Sequence, residues 1–130
     1  MVAAAVLFGG CGVPPDPSRE QPVLSNWAQS YVPALQQAGI SKIVSWSDRP
    51  EQPVQVMSAG GPVYFPYAPR VSLVRFALTV DGGRATVKSD DCPPEQHDRY
   101  VATMDWVLRE SLRFTTQNNT RLETKEKASH

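Results

Sequence analysis

Hydrophobic and polar side chains alternate most clearly over residues 71–80. The apolar positions there are spaced two residues apart, at Val74, Phe76, Leu78 and Val80. A period of two is the pattern of a β-strand with one buried face, because successive side chains point to opposite faces of a sheet. The sequence therefore predicts a strand over residues 71–80.

A tight turn follows this strand at Asp81-Gly82-Gly83. Two consecutive glycines supply the positive-φ positions that a two-residue hairpin loop requires. A second strand is predicted over residues 84–89, with Ala85 and Val87 on one face. We expect an antiparallel β-hairpin here.

Apolar residues with helical spacing occur both before and after these strands in the chain. Over residues 24–38 the apolar positions recur four, four and three residues apart, at Trp27, Tyr31, Leu35 and Ala38. Pro33 interrupts this stripe, so it either kinks one helix or marks the first turn of a shorter one, where proline is tolerated.

A second helix is predicted after the acidic and proline-rich residues 90–95, which suit a helix N-terminus. Its apolar stripe comprises Tyr100, Val101, Met104, Val107, Leu108 and Ser111. Trp106 falls about 160° from the centre of this stripe on a helical wheel. We therefore expect the stripe to pack on the sheet and this indole to face away from the core.

The segment 60–69 combines three aromatic residues with three prolines. Proline cannot donate to a β-ladder, so the segment is predicted as an edge strand or an exposed loop. Its aromatic side chains either fold back on the core or are offered to a partner. We predict partner contacts at Tyr64, Phe65 and Tyr67, and at Trp106 on the second helix.

With shorter strands predicted at residues 40–46 and 54–57, these elements predict an α+β domain. It has a small antiparallel sheet of three to five strands, packed by an N-terminal and a C-terminal helix. The domain is expected to span residues 24–114. Residues 115–130 are polar and lack an apolar period, so they are predicted to be a disordered tail.

The composition of the 130 residues suits a single domain, and its 13 basic and 13 acidic side chains cancel. A chain of zero net charge has no overall field that would attract nucleic acid or an anionic membrane, so no nucleic-acid partner is expected. Any attachment to a membrane must therefore depend on a particular segment of the chain.

The N-terminus contains a segment of this kind. Residues 1–10 are uncharged and mostly apolar, too few to cross a bilayer but similar in length to a short secretory h-region. We interpret residues 1–10 as a signal peptide with a truncated n-region, since no Lys or Arg precedes its apolar segment. The proline-rich residues 12–23 after Cys11 are interpreted as an extended tether.

Leu7-Phe8-Gly9-Gly10-Cys11 resembles the bacterial lipobox. The resemblance implies that Cys11 receives a diacylglyceryl group and anchors the protein to a membrane of the cell envelope. Gly12, in place of an aspartate, implies the outer membrane, with the domain facing the periplasm. The alternative is that residues 1–10 form a buried strand and Cys11 forms a disulfide with Cys92.

The sequence gives less support to catalysis, metal binding or nucleotide binding. Cys92 and His97 are candidates for a nucleophile pair, but five residues on a helix are about 140° apart, so their side chains would diverge. No ligand pair has the spacing of a zinc site, and Gly82 and Gly83 lack a phosphate-loop pattern. We expect a non-enzymatic protein without metal or cofactor.

A lipidated cysteine, a proline-rich tether and a compact domain resemble, in architecture, the small lipoproteins of type IV secretion and conjugation machines. The resemblance implies a structural or adaptor component of an envelope assembly. The alternative is a free-standing binding lipoprotein that acts in surface exclusion, as an inhibitor or immunity protein, or on a small ligand.

Overall fold

The computed structural model describes residues 19–89 and 96–128, the last four of them without their side chains. The strands are β1 (Arg19–Glu20), β2 (Ile40–Val44), β3 (Val54–Ser58), β4 (Val63–Phe65), β5 (Phe76–Asp81) and β6 (Arg84–Ser89). The helices are α1 (Pro22–Ala28), α2 (Val32–Gln37) and α3 (His97–Ala128), with a 3-10 turn (Gln29–Tyr31) between the first two. Cys11, Cys92, the predicted signal peptide and the acidic residues 90–95 lie outside the described residues.

The described strands form one antiparallel sheet in the order β1-β6-β5-β2-β3-β4. The predicted α+β class is confirmed, but the sheet has six strands rather than three to five. The additional strand is β1, in which Arg19 pairs with Ser89 and Glu20 with Lys88. Both residues belong to the segment predicted as tether, so the folded domain extends N-terminally at least to Arg19 rather than beginning at residue 24.

The predicted hairpin is confirmed. Asp81 pairs with Arg84, which leaves Gly82 and Gly83 as the two loop residues. Their φ angles are 60° and 76°, and two consecutive positive values are the requirement of a type I′ turn. The strand before the turn is shorter than predicted, because β5 begins at Phe76.

The N-terminal helical region is divided in two. Pro33 lies in the first turn of α2, which begins directly after the 3-10 turn. Of the two arrangements that the proline allowed, the structure has the shorter second helix, because proline needs no hydrogen-bond partner for its nitrogen in a first turn. Gly39 then ends the region with a φ of 77°.

The core lies between the helices and one face of the sheet. Met104, Val107, Leu108 and Ser111 of α3 are each 0% exposed, so the predicted stripe does pack on the sheet. The side chains that they join from the sheet are also buried, and include Ile43, Val56, Phe76, Leu78 and Val87.

The predicted disordered tail is wrong for residues 115–128, which continue α3. Thr115 is 0% exposed, and the Asn119 side chain donates a hydrogen bond to the Ala38 carbonyl at 3.3 Å. Contacts with a distant part of the chain therefore order the helix where its own sequence has no apolar period. A long helix is usually stabilised by such tertiary contacts more than by propensity.

The first edge of the sheet, along β6, is closed by side chains. Gln29 donates to the Ala85 carbonyl at 2.7 Å and accepts from the Ala85 amide at 3.0 Å. Ser25 accepts from the Val87 amide at 2.8 Å. These side chains continue the ladder beyond the two residues of β1, so this stretch of the β6 edge does not offer free backbone groups to another strand.

The second edge is β4, between Pro62 and Pro66, and among the described strands it pairs only with β3. Of the two structures predicted for the aromatic segment, an edge strand or an exposed loop, Val63–Phe65 has the edge strand.

The opposite face of the sheet carries no helix among the described residues, and we call it the open face. Alternation along the strands assigns to it the side chains of Lys42, Val44, Gln55, Met57, Tyr64, Ala77, Thr79, Thr86 and Lys88. Val44 and Ala77 are buried on this face, and the others are exposed or half-buried. A sheet with one packed and one solvated face is common when its strands are antiparallel.

Candidate interaction surface

The four residues predicted to contact a partner are divided between the two faces of the sheet. Tyr64 and Phe65 are neighbours in β4, so their side chains point in opposite directions. Phe65 is 2% exposed and lies on the core face, whereas Tyr64 is half-buried on the open face. Tyr67 and Trp106 lie with Phe65, so the predicted set does not form one surface.

Phe65 is the centre of an aromatic cluster between β4 and α3. Its ring centroid lies 5.9 Å from that of Trp106 in an edge-on arrangement, and 5.1 Å from that of Phe114. Trp106 also lies 5.5 Å from Tyr67. Rings at these separations pack favourably, so the cluster contributes to the attachment of α3 to the edge of the sheet.

The predicted orientation of Trp106 is wrong. The indole is half-buried against the core rather than directed away from it. A helical wheel assumes that the core lies on one side of the helix only. Here Phe65 and Tyr67, from β4 and the loop after it, contact the flank of α3 that the wheel assigned to solvent.

Tyr67 is held in this cluster through its hydroxyl group. The hydroxyl donates to the Val74 carbonyl at 3.3 Å. Burial raises the pKa of Tyr67 above its usual value, while hydrogen bonds from Ser45 and Val74 act in the opposite direction. Tyr67 is therefore held within the domain by burial and by hydrogen bonds to its hydroxyl group.

Tyr64 is held on the open face by two contacts. The Arg49 guanidinium carbon lies 3.8 Å from the centroid of its ring, within the range of a cation–π interaction. The Gln55 side chain donates a hydrogen bond to its hydroxyl at 2.8 Å. The ring is therefore fixed in one orientation, with the guanidinium stacked over it.

The residues around Tyr64 form a continuous surface. Gln55 pairs with Tyr64 across β3 and β4, and Met57 pairs with Lys42 across β3 and β2. Met57 is 38% exposed, and both Lys42 and Arg49 are exposed. We call Lys42, Arg49, Gln55, Met57 and Tyr64 together the Tyr64 patch.

A second arginine, Arg75, lies over an aromatic ring on the same side of the sheet. Arg75 lies 5.8 Å from the Trp46 ring, just before β5 and just after β2 respectively. Arginine, tyrosine, tryptophan and methionine are the side chains in which protein interfaces are enriched. Among the members of the Tyr64 patch, Tyr64 is the residue that the sequence predicted as a partner contact. Arg49 was not predicted, because it lies fifteen positions before Tyr64 and no short motif joins the two.

A polar cluster links the N-terminal helices to α3. The Tyr31 hydroxyl donates a hydrogen bond to Asp105, which also forms an ion pair with Arg109 at 3.0 Å. Burial, and then the hydrogen bond to Asp105, raises the pKa of Tyr31 to about 12.

The raised pKa of Tyr31 makes the stability of the domain depend on alkaline pH. A folded-state pKa above the unfolded value of 10.0 stabilises the fold fully below pH 10, and this contribution is lost as pH rises towards 12. We expect wild type to lose its stability advantage over Tyr31→Phe in this window, as measured by urea unfolding at several pH values. A difference that stays constant with pH would contradict the bond to Asp105.

A shallow cleft of about 580 Å³ lies where the end of α3 meets the start of β2, between Gly39, Gly60, Asn119 and Leu122. It is open to solvent. A Cβ at Gly60 would lie 2.8 Å from the Asn119 side-chain oxygen, so the absence of a side chain there permits the close approach of α3. We therefore assign this cleft to packing.

Within residues 19–89 and 96–128, no three side chains of the metal-ligating types lie close enough to hold an ion. In the same part of the chain, every helix is too short or too polar to cross a membrane. Cys11 and Cys92 lie outside it, so the lipidation site stays a prediction, and the alternative disulfide and the Cys92–His97 pair are untested.

Comparison of this chain with protein-family models, with curated proteins and with solved structures gave no match.

Proposed function

We propose that this protein is a bacterial lipoprotein, anchored through a lipid on Cys11, whose domain serves as a structural or adaptor component of an envelope assembly. The class of assembly that its architecture resembles is a type IV secretion or conjugation machine. The domain would face the periplasm from the outer membrane and hold a partner protein close to that membrane.

The observation that best supports a partner-binding role is the open face of the sheet. The helices cover the other face, and the β6 edge is closed by Ser25 and Gln29. The Tyr64 patch presents arginine, methionine and tyrosine, side chains typical of protein interfaces, with the tyrosine ring already fixed by Arg49. A surface ordered before binding loses less conformational entropy when a partner docks.

The number of residues between Cys11 and the domain limits how far the partner can lie from the membrane. Residues 12–18 separate Cys11 from β1, which begins at Arg19. In extended polyproline geometry, at about 3.1 Å per residue, this segment reaches about 25 Å. The partner is therefore expected close to the membrane surface.

The lipid anchor is tested by metabolic labelling with a clickable fatty acid in the bacterium that produces the protein. We expect label on wild type and its complete loss in Cys11→Ala, because the thioether forms on that sulfur. Cys92→Ala is the matched control and should keep the label. Equal labelling of wild type and Cys11→Ala would end the lipoprotein proposal.

The adaptor role is tested by mild crosslinking and purification of the wild-type protein from membranes. Stoichiometric recovery with a large membrane complex is the expected result. Recovery with one soluble partner would favour the alternative, a free-standing binding lipoprotein.

A further inference from the structure

We propose that Pro62 and Pro66 block strand addition at the β4 edge, so that two copies of this domain do not join their sheets there. The inference concerns self-association, and it depends neither on the lipid anchor nor on the adaptor role. It gives the second edge of the sheet a protection comparable to the one that Gln29 and Ser25 give to the first.

The β4 edge is a position where another strand could add. Among the described strands β4 pairs only with β3, and the prolines on either side of it, Pro62 and Pro66, are both exposed. An unpaired edge is a template for another strand, because its outward N–H and C=O groups can pair with those of a second chain. The outcome depends on which backbone groups of this edge point outward.

The direction of the backbone groups follows from one hydrogen bond in the middle of the sheet. The Ser45 amide donates to the Phe76 carbonyl at 3.2 Å, so the backbone groups of Ser45 face β5. Successive residues of a strand direct these groups to alternate sides, so those of Val44 face β3. Gln55 pairs with Val44 and faces back towards β2, and its two neighbours in β3 therefore face β4.

The same alternation directs Tyr64 outward. Val63 and Phe65 lie opposite the two residues of β3 that face β4, so these are the hydrogen-bonded pairs. Tyr64 lies between them and directs its N–H and C=O away from the sheet. Its N–H is therefore the donor at the centre of the free edge.

The nitrogens of both prolines point in the same outward direction. The described peptide bonds are all trans, so the carbonyl of one residue and the nitrogen of the next point in opposite directions. The Phe65 carbonyl points towards β3, which directs the Pro66 nitrogen outward. The Gly61 carbonyl accepts a hydrogen bond at 2.8 Å from the Ser58 hydroxyl of β3, which directs the Pro62 nitrogen outward as well. Each of these nitrogens carries a ring in place of a donor.

This arrangement opposes the pairing of two identical β4 strands in particular. When two copies pair antiparallel about Tyr64, this residue lies opposite its equivalent, and Pro62 of each copy lies opposite Pro66 of the other. Each facing pair of this kind normally exchanges two hydrogen bonds. A pair of prolines exchanges none, so only the bonds between the two tyrosines remain. The β4 edge is thus a poor template for a second copy of itself.

The test uses the full chain with Cys11→Ala, because removing the predicted lipidation site prevents association through a lipid. Pro62→Ala combined with Pro66→Ala restores the missing donors in both facing pairs. We expect its dimer dissociation constant, measured by sedimentation velocity, to be at least about tenfold lower than that of the chain with both prolines. Each single substitution restores half of these donors and should give an intermediate value.

The matched control combines Pro50→Ala with Pro69→Ala, at two exposed prolines outside the strands. It removes the same number of rings from the unfolded chain, and it should leave the dissociation constant within about twofold. Hydrogen exchange then locates the contact. The Tyr64 amide should exchange more slowly as protein concentration rises in the Pro62→Ala, Pro66→Ala protein, and at a constant rate in the control.

Circular dichroism checks that each variant is folded, and the single substitutions decide the question if the double variant does not fold. Edge variants as monomeric as the control would overturn the inference. Dimers whose Tyr64 amide exchanges at an unchanged rate would also overturn it, because they form through another surface, as would dimers with a protected Tyr64 amide when both prolines are present. Fatty-acid labelling and membrane crosslinking test the lipid anchor and the adaptor role separately.

Discussion

Replacing Phe65 with alanine is expected to lower the free energy of unfolding by about 3 to 5 kcal/mol, the usual cost of removing a buried aromatic ring. The ring is 2% exposed and contacts both Trp106 and Phe114, so its loss leaves a cavity between β4 and α3. Urea unfolding followed by circular dichroism measures the change. Trp106 emission should shift to longer wavelength in the folded variant, because the indole loses a ring that shields it.

Two further variants serve as controls for Phe65→Ala. Phe65→Leu keeps much of the volume and should be less destabilising than alanine. Tyr64→Ala changes the neighbouring residue on the open face and should cost only about 1 kcal/mol, the scale of one exposed cation–π contact. If Phe65→Ala and Tyr64→Ala destabilise equally, the assignment of Phe65 to the core is wrong.

The second large effect is expected at Gln29, which closes the edge of β6. Gln29→Ala should lower the free energy of unfolding by about 2 to 3 kcal/mol, because the amide and the carbonyl of Ala85 both lose a partner. Gln29→Glu keeps an acceptor for the amide but brings a carboxylate against the carbonyl, so we expect it to destabilise as well. Thermal and urea unfolding of the purified domain measure both.

The matched control is Gln36→Ala, an exposed glutamine of α2. A surface substitution of this kind is expected to change stability by less than about 0.5 kcal/mol. Opening the edge should also increase self-association, because free backbone groups along β6 can pair with another strand. A Gln29→Ala protein that is as stable and as monomeric as Gln36→Ala would contradict the role given to this side chain.

The elements that were predicted correctly are those whose signal is local. The hairpin follows from alternating strands and two adjacent glycines. Pro33 limited the N-terminal helical region to two arrangements, and the structure has one of them, the shorter second helix. The aromatic segment was correctly excluded from the centre of the sheet, because proline lacks a donor for the ladder. Each of these conclusions needs only a few consecutive residues.

The elements that were missed depend on distant residues. Arg19 and Glu20 are too few to show a period, and they form a strand because β6 offers them an edge. The last turns of α3 have no apolar stripe, and Thr115 and Asn119 order them through contacts with the rest of the domain. Trp106 was assigned to solvent because a helical wheel does not include the loop that covers its flank.

The candidate interaction surface shows the same division. The aromatic segment drew attention to Tyr64, but the sequence could not separate it from Phe65, because only strand pairing assigns one residue to the core and the other to the open face. Arg49 and Lys42 carry no motif, and they join Tyr64 only when the strands are in register.

The sequence by itself thus determined the α+β class, the hairpin and the exclusion of the aromatic segment from the centre of the sheet, since each depends on neighbouring residues. The lipid anchor at Cys11 stays a prediction. Only the tertiary structure decided which aromatic residues are buried, where α3 ends and which side chains form the open face. Those properties depend on strand register and on packing between residues far apart in the chain.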